Sequence, residues 1–349
     1  MAPPVSLPTK PLGKTGRQIP ALGFGMMGLS TAYGPVGTDE ERLALLDCAW
    51  ELGYTNWDTA SSYGDSEVLI GKWFKLHPER RADIFLATKF GIKFAVNDKG
   101  EWDIRADNSP EFFSECLEGS LRKMGIDYID LLYVHRLDPQ VPVEKTMELL
   151  VKAKKDGKIK AIGICECASS SIRRAYTVAP VDAVQVEYNP FQLDIENETG
   201  TNLLATCREL GITIFAYAPL GRGFLTGQLK TTDDFAPDDF RRVVPRFNPD
   251  NFAKNLVLVD RFKAFADKKG CTPGQLALAW LSAQGEDIIP IPGTKKVKYL
   301  EENVGSVKVQ LSKEEVQEIR AEVEKAAGEV VGHRNPPGMF TEYSVTVEL

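Results

Sequence analysis

The sequence predicts an α/β fold: a (β/α)8 TIM barrel with two extra helices and a C-terminal tail over the pocket. Three observations predict it. Strand and helix signals alternate along nearly all of the 349 residues, and such alternation means a parallel sheet with helical crossovers. Eight strand signals can be read, the number that closes a barrel. The polar residues that end the apolar runs fall at successive strand ends, where a barrel collects its functional groups. A doubly wound open sheet is the alternative. No repeat or low-complexity linker divides the series, so residues 1–349 read as a single domain.

The first strand is expected near Ile19–Gly25, followed by a helix from Thr38. There Thr38-x-x-Glu41 reads as a capping box and Gly53 as the stop. The second strand, Tyr54–Asp58, precedes a helix of Ser66–Leu76, and the third, Asp83–Lys89, leads into a long loop. That loop ends at Ser109-Pro110-Glu111, an N-cap with proline in the first helical position. Ile129–His135 is the fourth strand, and the helix after it, Val143–Asp156, is ended by Gly157. Ile159–Cys165 is the fifth strand, followed by a helix from Ser169; Val181–Glu187 is the sixth, followed by a helix of Asn197–Leu210. After the seventh strand, Ile212–Tyr217, comes a stretch from Pro219 to Asp250, too long for a plain connection in a compact domain. One helix then ends at Gly270 and another begins at Thr272-Pro273; Asp287–Pro292 is the eighth strand, and helices at Val297–Gly305 and Ser312–Ala327 follow.

Composition narrows the function. Hydrophobic residues make up 43% and charged residues 26%, enough for a large core. A net charge of −7 argues against a nucleic-acid surface or a polybasic membrane anchor. No apolar stretch reaches the roughly 18 residues of a membrane span, and Met1–Pro8 has no apolar signal core. The six cysteines include no C-x-x-C pair, which fits reduced thiols and a cytoplasmic setting. Three scattered histidines make a zinc site unexpected. Oligomeric state is not readable.

Two glycine motifs invite a phosphate-binding reading. Gly23-Phe24-Gly25-Met26-Met27-Gly28 matches G-x-G-x-x-G, but that fingerprint requires a helix opening inside it, and Leu29–Gly37 reads as a loop. Gly13-Lys14-Thr15 lacks the upstream glycine of a phosphate loop, because position 8 is Pro8, and reads as a turn.

The chemistry centres on Lys89, which closes an apolar strand. Burying an unpaired ammonium costs several kcal/mol, so an acidic neighbour or a chemical task is expected. Asp58, His135, Cys165, Glu166, Gln185, Tyr217 and Gly293 also lie at strand ends, and Tyr63 follows five residues after Asp58. Singly these are a turn residue, a loop aromatic, a core histidine; together they resemble a site. A phenol has a pKa near 10, a neighbouring cation lowers it, and a carboxylate holds the cation. A neutral imidazole can donate to a substrate oxygen. The set suits protonation of a carbonyl oxygen as hydride arrives at carbon.

In order, the motifs are Gly23–Met26, Trp57-Asp58-Thr59-Ala60 with Tyr63-Gly64, Thr88-Lys89, Leu131–Arg136, Ile162-Gly163-Ile164, Val184–Pro190, Tyr217–Gly227, and Ile291–Thr294 with Glu302-Asn303. Over roughly residues 10–340 the chain resembles the aldo-keto reductase superfamily. Pro219–Gly227 and Gly332–Met339 look closest to the yeast and plant branch with pyridoxal reductase and perakine reductase. The resemblance implies NADPH-dependent reduction of a small carbonyl substrate, with Tyr63 as general acid, Lys89 lowering its pKa, Asp58 pairing with Lys89 and His135 orienting the carbonyl.

For NADPH/NADP+ it implies Met26, Asp58, Cys165, Glu166 and Gln185 about the nicotinamide, Tyr217 stacking on it, and Ala218, Pro219, Leu220, Gly221 and Arg222 along the pyrophosphate. Gly293, Thr294, Lys295 and Lys296 would hold the adenosine phosphate, with Tyr299, Glu302 and Asn303 at the adenosine end. Met27 and Tyr33 join Tyr63 and His135 as substrate contacts. One departure is Cys165, where the family usually has serine; a thiol is the weaker donor. Ser30–Gly37, Phe90–Asn108, Arg222–Asp250 and Gly328–Leu349 are the segments expected to shape the pocket. The same barrel also resembles the β-subunits of potassium channels, cofactor-binding regulatory proteins that carry Asn where this chain has His135. An NAD-linked alcohol or sugar dehydrogenase is the third reading.

Overall fold

The computed structural model describes residues 2–96, 102–336, 338–340 and 342–349. Along the chain run β1 (Thr9–Pro11), β2 (Gln18–Pro20), β3 (Phe24–Gly25), α1 (Met27–Ser30), α2 (Asp39–Glu51), β4 (Asn56–Asp58), α3 (Ser66–Leu76) and β5 (Phe85–Phe90). Then come β6 (Ile92–Val96), β7 (Trp102–Ala106), α4 (Pro110–Met124), β8 (Ile129–Val134), α5 (Val143–Lys155), β9 (Ile159–Cys165), α6 (Ser169–Val178) and β10 (Ala183–Glu187). The remainder is α7 (Leu203–Leu210), β11 (Thr213–Tyr217), α8 (Pro249–Lys269), α9 (Pro273–Ser282), β12 (Ile288–Pro290), α10 (Val297–Gly305) and α11 (Lys313–Glu329).

Eight strands form one parallel sheet in the order β12-β11-β10-β9-β8-β5-β4-β3. Its two edges meet: the Gly23 amide donates to Pro290 O at 2.9 Å and the Gly25 amide to Pro292 O at 3.1 Å. The expected barrel is therefore closed at a seam between its first and last strands. Glycine is required there, since a Cβ at Gly25 would sit 2.7 Å from Ile291 O and one at Gly293 2.4 Å from Gly25 O. This is the work of the apparent dinucleotide fingerprint. A one-turn helix, α1, does open inside it, contrary to the expected loop, but the motif's first glycines are seam residues.

The pleat decides what faces inward. Phe85, Ala87, Leu131, Tyr133, Ala161, Ala183, Phe215 and Ile289 fill the barrel, while their strand neighbours Leu86, Leu132, Val184 and Ile214 pack outward under the helices. β1 and β2 form an antiparallel hairpin that plugs the bottom with Leu12 and Ile19. The expected first strand, Ile19–Gly25, is thus two separate pieces. Lys10 in this hairpin donates to the carbonyls of Ser282, Gly285 and Ile288 at 3.0, 2.8 and 3.0 Å.

Helix starts stand where local capping placed them. Thr38, Thr272 and Ser312 form capping boxes, and Ser109 caps a helix with proline in its first turn. Two regions differ from expectation. The loop after Lys89 contains the β6–β7 hairpin, of which residues 97–101 lie outside the described residues. The expected helix Asn197–Leu210 starts only at Leu203, because Thr201 and Asn202 take left-handed backbone, φ 56° and 52°.

Candidate active site

The period-two alternation that points Phe85 and Ala87 into the barrel does the same for Lys89, two residues on. By the same parity Asp58 opposes the outward Trp57, and His135, Cys165, Gln185, Glu187 and Tyr217 follow inward residues of their own strands. The top layer of a barrel otherwise filled with apolar side chains is therefore polar.

Lys89 is fully buried. Its ammonium donates to Asp58 Oδ1 and, at 2.8 Å, to Thr59 O, and the second Asp58 oxygen accepts from Gln185 Nε2 at 2.7 Å. Burial opposes the Lys89 charge, yet Asp58, with lesser help from Tyr63 and Cys165, outweighs it and holds the ammonium well above the ordinary lysine range. Burial likewise pushes the Asp58 carboxyl up, and the two donors pull it back.

The Lys89 ammonium lies 4.9 Å from the centroid of the Tyr63 ring, and the His135 ring meets Tyr63 edge-on at 5.5 Å. Burial pushes the Tyr63 phenol up and Lys89 pulls it down, with burial the larger. The expectation of a lowered phenol pKa is corrected in the net: the cation acts in the expected direction but does not win. His135 is held well below the usual imidazole range by burial, Lys89 and Arg136, so it is neutral; its Nδ1 faces the Ser62 hydroxyl at 3.3 Å. Cys165 is buried beneath this group with its thiol pushed up to about 12 by burial.

A second ion cluster adjoins the first. Arg334, from the tail, is buried with its guanidinium on Glu166 at 2.7 Å, Glu187 at 3.4 Å, Glu342 at 3.1 Å and the Tyr217 hydroxyl oxygen at 3.1 Å. Arg222 reaches Glu187 at 3.3 Å and Asn335 Oδ1 at 3.4 Å. Glu166 was an expected nicotinamide contact; its carboxylate is instead committed to Arg334 and to the Glu187 amide, and Arg334 holds it down at about 2 against its burial. The tail then crosses the strand ends: Ser344 pairs with Cys167, and the Val347 amide donates to Pro139 O at 3.0 Å. Sequence reading did not find Glu187, Arg334 or Ser62. The signals were Glu187 within the Val184–Pro190 motif and Arg334 within Gly332–Met339, a segment whose role no local pattern states; Pro337 of that segment, and Thr341, lie outside the described residues.

The remaining expected contacts divide. Met26 is fully buried in the larger core cluster with its amide on Asp58 O at 2.9 Å. Met27, which opens α1, and Tyr33, on the loop after it, are half-buried. Ala218, Gly221 and Arg222 have left-handed backbone, φ 46°, 56° and 57°, which curls the segment of Pro219 and Leu220 across the end of β11. Gly293 and Lys296 are exposed after β12, and the Thr294 hydroxyl accepts from the Lys296 amide at 3.1 Å. Tyr299 donates to Gln228 Oε1 at 2.5 Å, Glu302 accepts from the Thr272 hydroxyl at 2.7 Å, and Asn303 is buried. Lys295 is the exception: its ammonium is taken up by the backbone of residues 33–35.

An acid-cation pair at the floor of a barrel mouth, with a phenol and a neutral imidazole beside it, is an arrangement chemically able to move a proton on a (β/α)8 scaffold. The model of the Aldo/keto reductase family matches residues 21–324, and the chain belongs to that family of oxidoreductases. It is 50% identical over 337 residues to the aldo-keto reductase yakc [NADP(+)] of Schizosaccharomyces pombe, covering 96% of each chain. It is 49% identical over 334 residues to the aldo-keto reductase str7 of Strobilurus tenacellus, covering 94% of this chain and 95% of the relative. Among solved structures, the glycerol dehydrogenase AKR11B4 from Gluconobacter oxydans is similar with a TM-score of 0.79 and 25% identity, over 95% of this chain and 99% of that one. The thermostable aldo-keto reductase Tm1743, in complex with the inhibitor epalrestat, gives a TM-score of 0.71 and 28% identity, over 90% of this chain and 100% of that one.

Proposed function

We propose that the protein reduces aldehydes or ketones to alcohols with NADPH, Tyr63 giving the proton. The observation that carries this reading is the fully buried Lys89, neutralised by Asp58 and set 4.9 Å from the Tyr63 ring. A phenol raised by burial stays protonated at neutral pH, which is the form a general acid needs. When negative charge develops on the substrate oxygen, the nearby ammonium favours proton transfer out of the phenol. The neutral His135 would donate one hydrogen bond from Nε2 to the same oxygen; in that tautomer Nδ1 is free to accept from the Ser62 hydroxyl 3.3 Å away.

NADPH is supported by the relative named for NADP(+). The residues present fit it: the Ala218–Arg222 segment curls its backbone across the end of β11, and the exposed Lys296 has Lys298 two residues on. The backbone of Ala218–Arg222 and the Lys296 side chain would hold the phosphates, and Tyr217 and Gln185 the nicotinamide. The cofactor, when bound, supplies the hydride.

The test is Tyr63→Phe. Turnover of an aromatic aldehyde should fall by about 10²–10⁴-fold, with NADPH affinity measured by fluorescence nearly unchanged. A variant that keeps more than about a tenth of wild-type kcat would remove Tyr63 as the proton donor. A wild-type enzyme that prefers NADH would replace this reading by an NAD-linked dehydrogenase.

A further inference from the structure

We propose that Lys295 is a positioning residue that moulds the loop carrying Tyr33 at the substrate side of the mouth, and not a reader of cofactor phosphate. The kinetic part of this proposal rests on the carbonyl-reductase reading; the structural part does not. Lys295 Nζ donates to Tyr33 O at 2.6 Å, Gly34 O at 3.1 Å and Pro35 O at 2.9 Å. An ammonium has three donors, and these three carbonyls use them all. None remains for a phosphate oxygen.

The arrangement also explains the loop. Three successive carbonyls converging on one point repel one another, so that backbone shape requires a cation at the focus. Ala32, a non-glycine residue, sits at φ 76° and its carbonyl accepts from the Phe240 amide at 2.8 Å. A Cβ on Gly34 would lie 2.8 Å from the Ala236 side chain, and the Arg241 guanidinium stands over the Tyr33 ring at 5.1 Å. The loop is thus held in strained backbone by the 236–241 segment on one side and Lys295 on the other. Topology makes the lysine side decisive: residues 33–35 follow the first barrel strand and Lys295 the last, so the contact continues the seam above the rim. Lys10 does the same at the bottom, donating to three carbonyls around β12. A lysine on three carbonyls is this barrel's way of joining its ends. Phosphate discrimination then falls to Lys296, which is exposed.

The experiment compares Lys295→Met with Lys296→Met in the full-length protein. Hydrogen exchange of amides 31–37, NADPH dissociation constant and aldehyde kinetics are measured for each. Lys295→Met should speed exchange in that loop by at least about tenfold, since three bonds to a charge are lost. It should raise the aldehyde KM while kcat and NADPH affinity stay within about twofold. Lys296→Met should raise the NADPH dissociation constant by at least about tenfold and leave loop exchange unchanged. Unchanged exchange in Lys295→Met, or a loss of NADPH affinity as steep as that of Lys296→Met, would overturn the proposal. Should no carbonyl turn over at all, the carbonyl-reductase reading fails, while the exchange comparison still decides what Lys295 does.

Discussion

Two buried ion clusters lie under one rim, and they are built differently. The Asp58–Lys89–Gln185 cluster comes from strand ends alone: Asp58 and Lys89 sit on adjacent strands, β4 and β5, with Asp58 opposite Ala87, two residues before Lys89. The Glu166–Glu187–Arg334 cluster needs the tail, and its hydrogen bonds span 168 and 147 residues of chain. The first assembles as soon as the barrel pairs and leaves its ammonium beside a phenol. The second closes only when the last residues fold back, and it spends its charges on holding them there. Proximity to the mouth is therefore a poor guide to role; what each charge has left over for a substrate is a better one.

The comparison can be broken most directly at Lys89. Lys89→Met should lower carbonyl turnover by about 10²–10⁴-fold and also destabilise the fold by about 3–5 kcal/mol, because Asp58 is left buried without its cation. Steady-state kinetics and denaturant unfolding measure the two losses. A variant that loses stability and keeps its turnover would make the first cluster the same kind of structural tie as the second.

Arg334→Met tests the other side. It strands the buried Glu166 carboxylate, while Glu187 keeps Arg222 at 3.3 Å; the cost should be a similar about 3–5 kcal/mol, but here the visible consequence is a tail that proteases cut near residues 330–349, with the Tyr63 proton transfer intact. Turnover lost as completely as in Lys89→Met, with the tail still protected, would erase the distinction.

The same cluster predicts a pH dependence. Glu166 is held at about 2, below its ordinary 4.5, by Arg334 against its burial. A depressed carboxyl contributes stability that is whole above its unfolded value and drains as pH falls from 4.5 towards about 2. Tail protection against an acid-active protease should fade across that window in the wild type, and Arg334→Met should show no such transition. Identical profiles for the two proteins would mean that another group controls the tail.

Smaller effects refine the first cluster. His135 is kept neutral by burial and its cationic neighbours, so kcat/KM for reduction should cross pH 6–7 without a histidine limb. Ser62→Ala should cost only about threefold to tenfold in kcat, the worth of one neutral hydrogen bond, and let ¹⁵N shifts of His135 report a mixed tautomer. An unaltered tautomer would detach Ser62 from the site.

How much of this was legible follows from where each partner lies. Thr38, Ser109, Thr272 and Ser312 announced helix starts because a cap bonds to an amide three residues away. Lys89 announced an acidic partner because an apolar strand cannot bury a lone cation. Lys295 misled: a lysine cluster after the last strand suits a phosphate, and nothing nearby in sequence says that its ammonium meets carbonyls some 260 residues earlier, the separations being 260 to 262.

The sequence by itself determined the alternation of strands and helices, the count that closes a barrel, the family, and the inward row holding Asp58, Lys89 and His135. The family rests on motifs that match in order along the chain; the rest follows from periodicity, capping and desolvation, which act over a few residues. Only the tertiary structure decided the seam at Gly23, Gly25 and Gly293, the net rise of the Tyr63 phenol, the capture of Glu166 by Arg334 and the commitment of Lys295 to the Tyr33 loop. Each of these depends on which charge or carbonyl from a distant segment arrives first at a buried group, and the energy of that encounter is written in no local pattern.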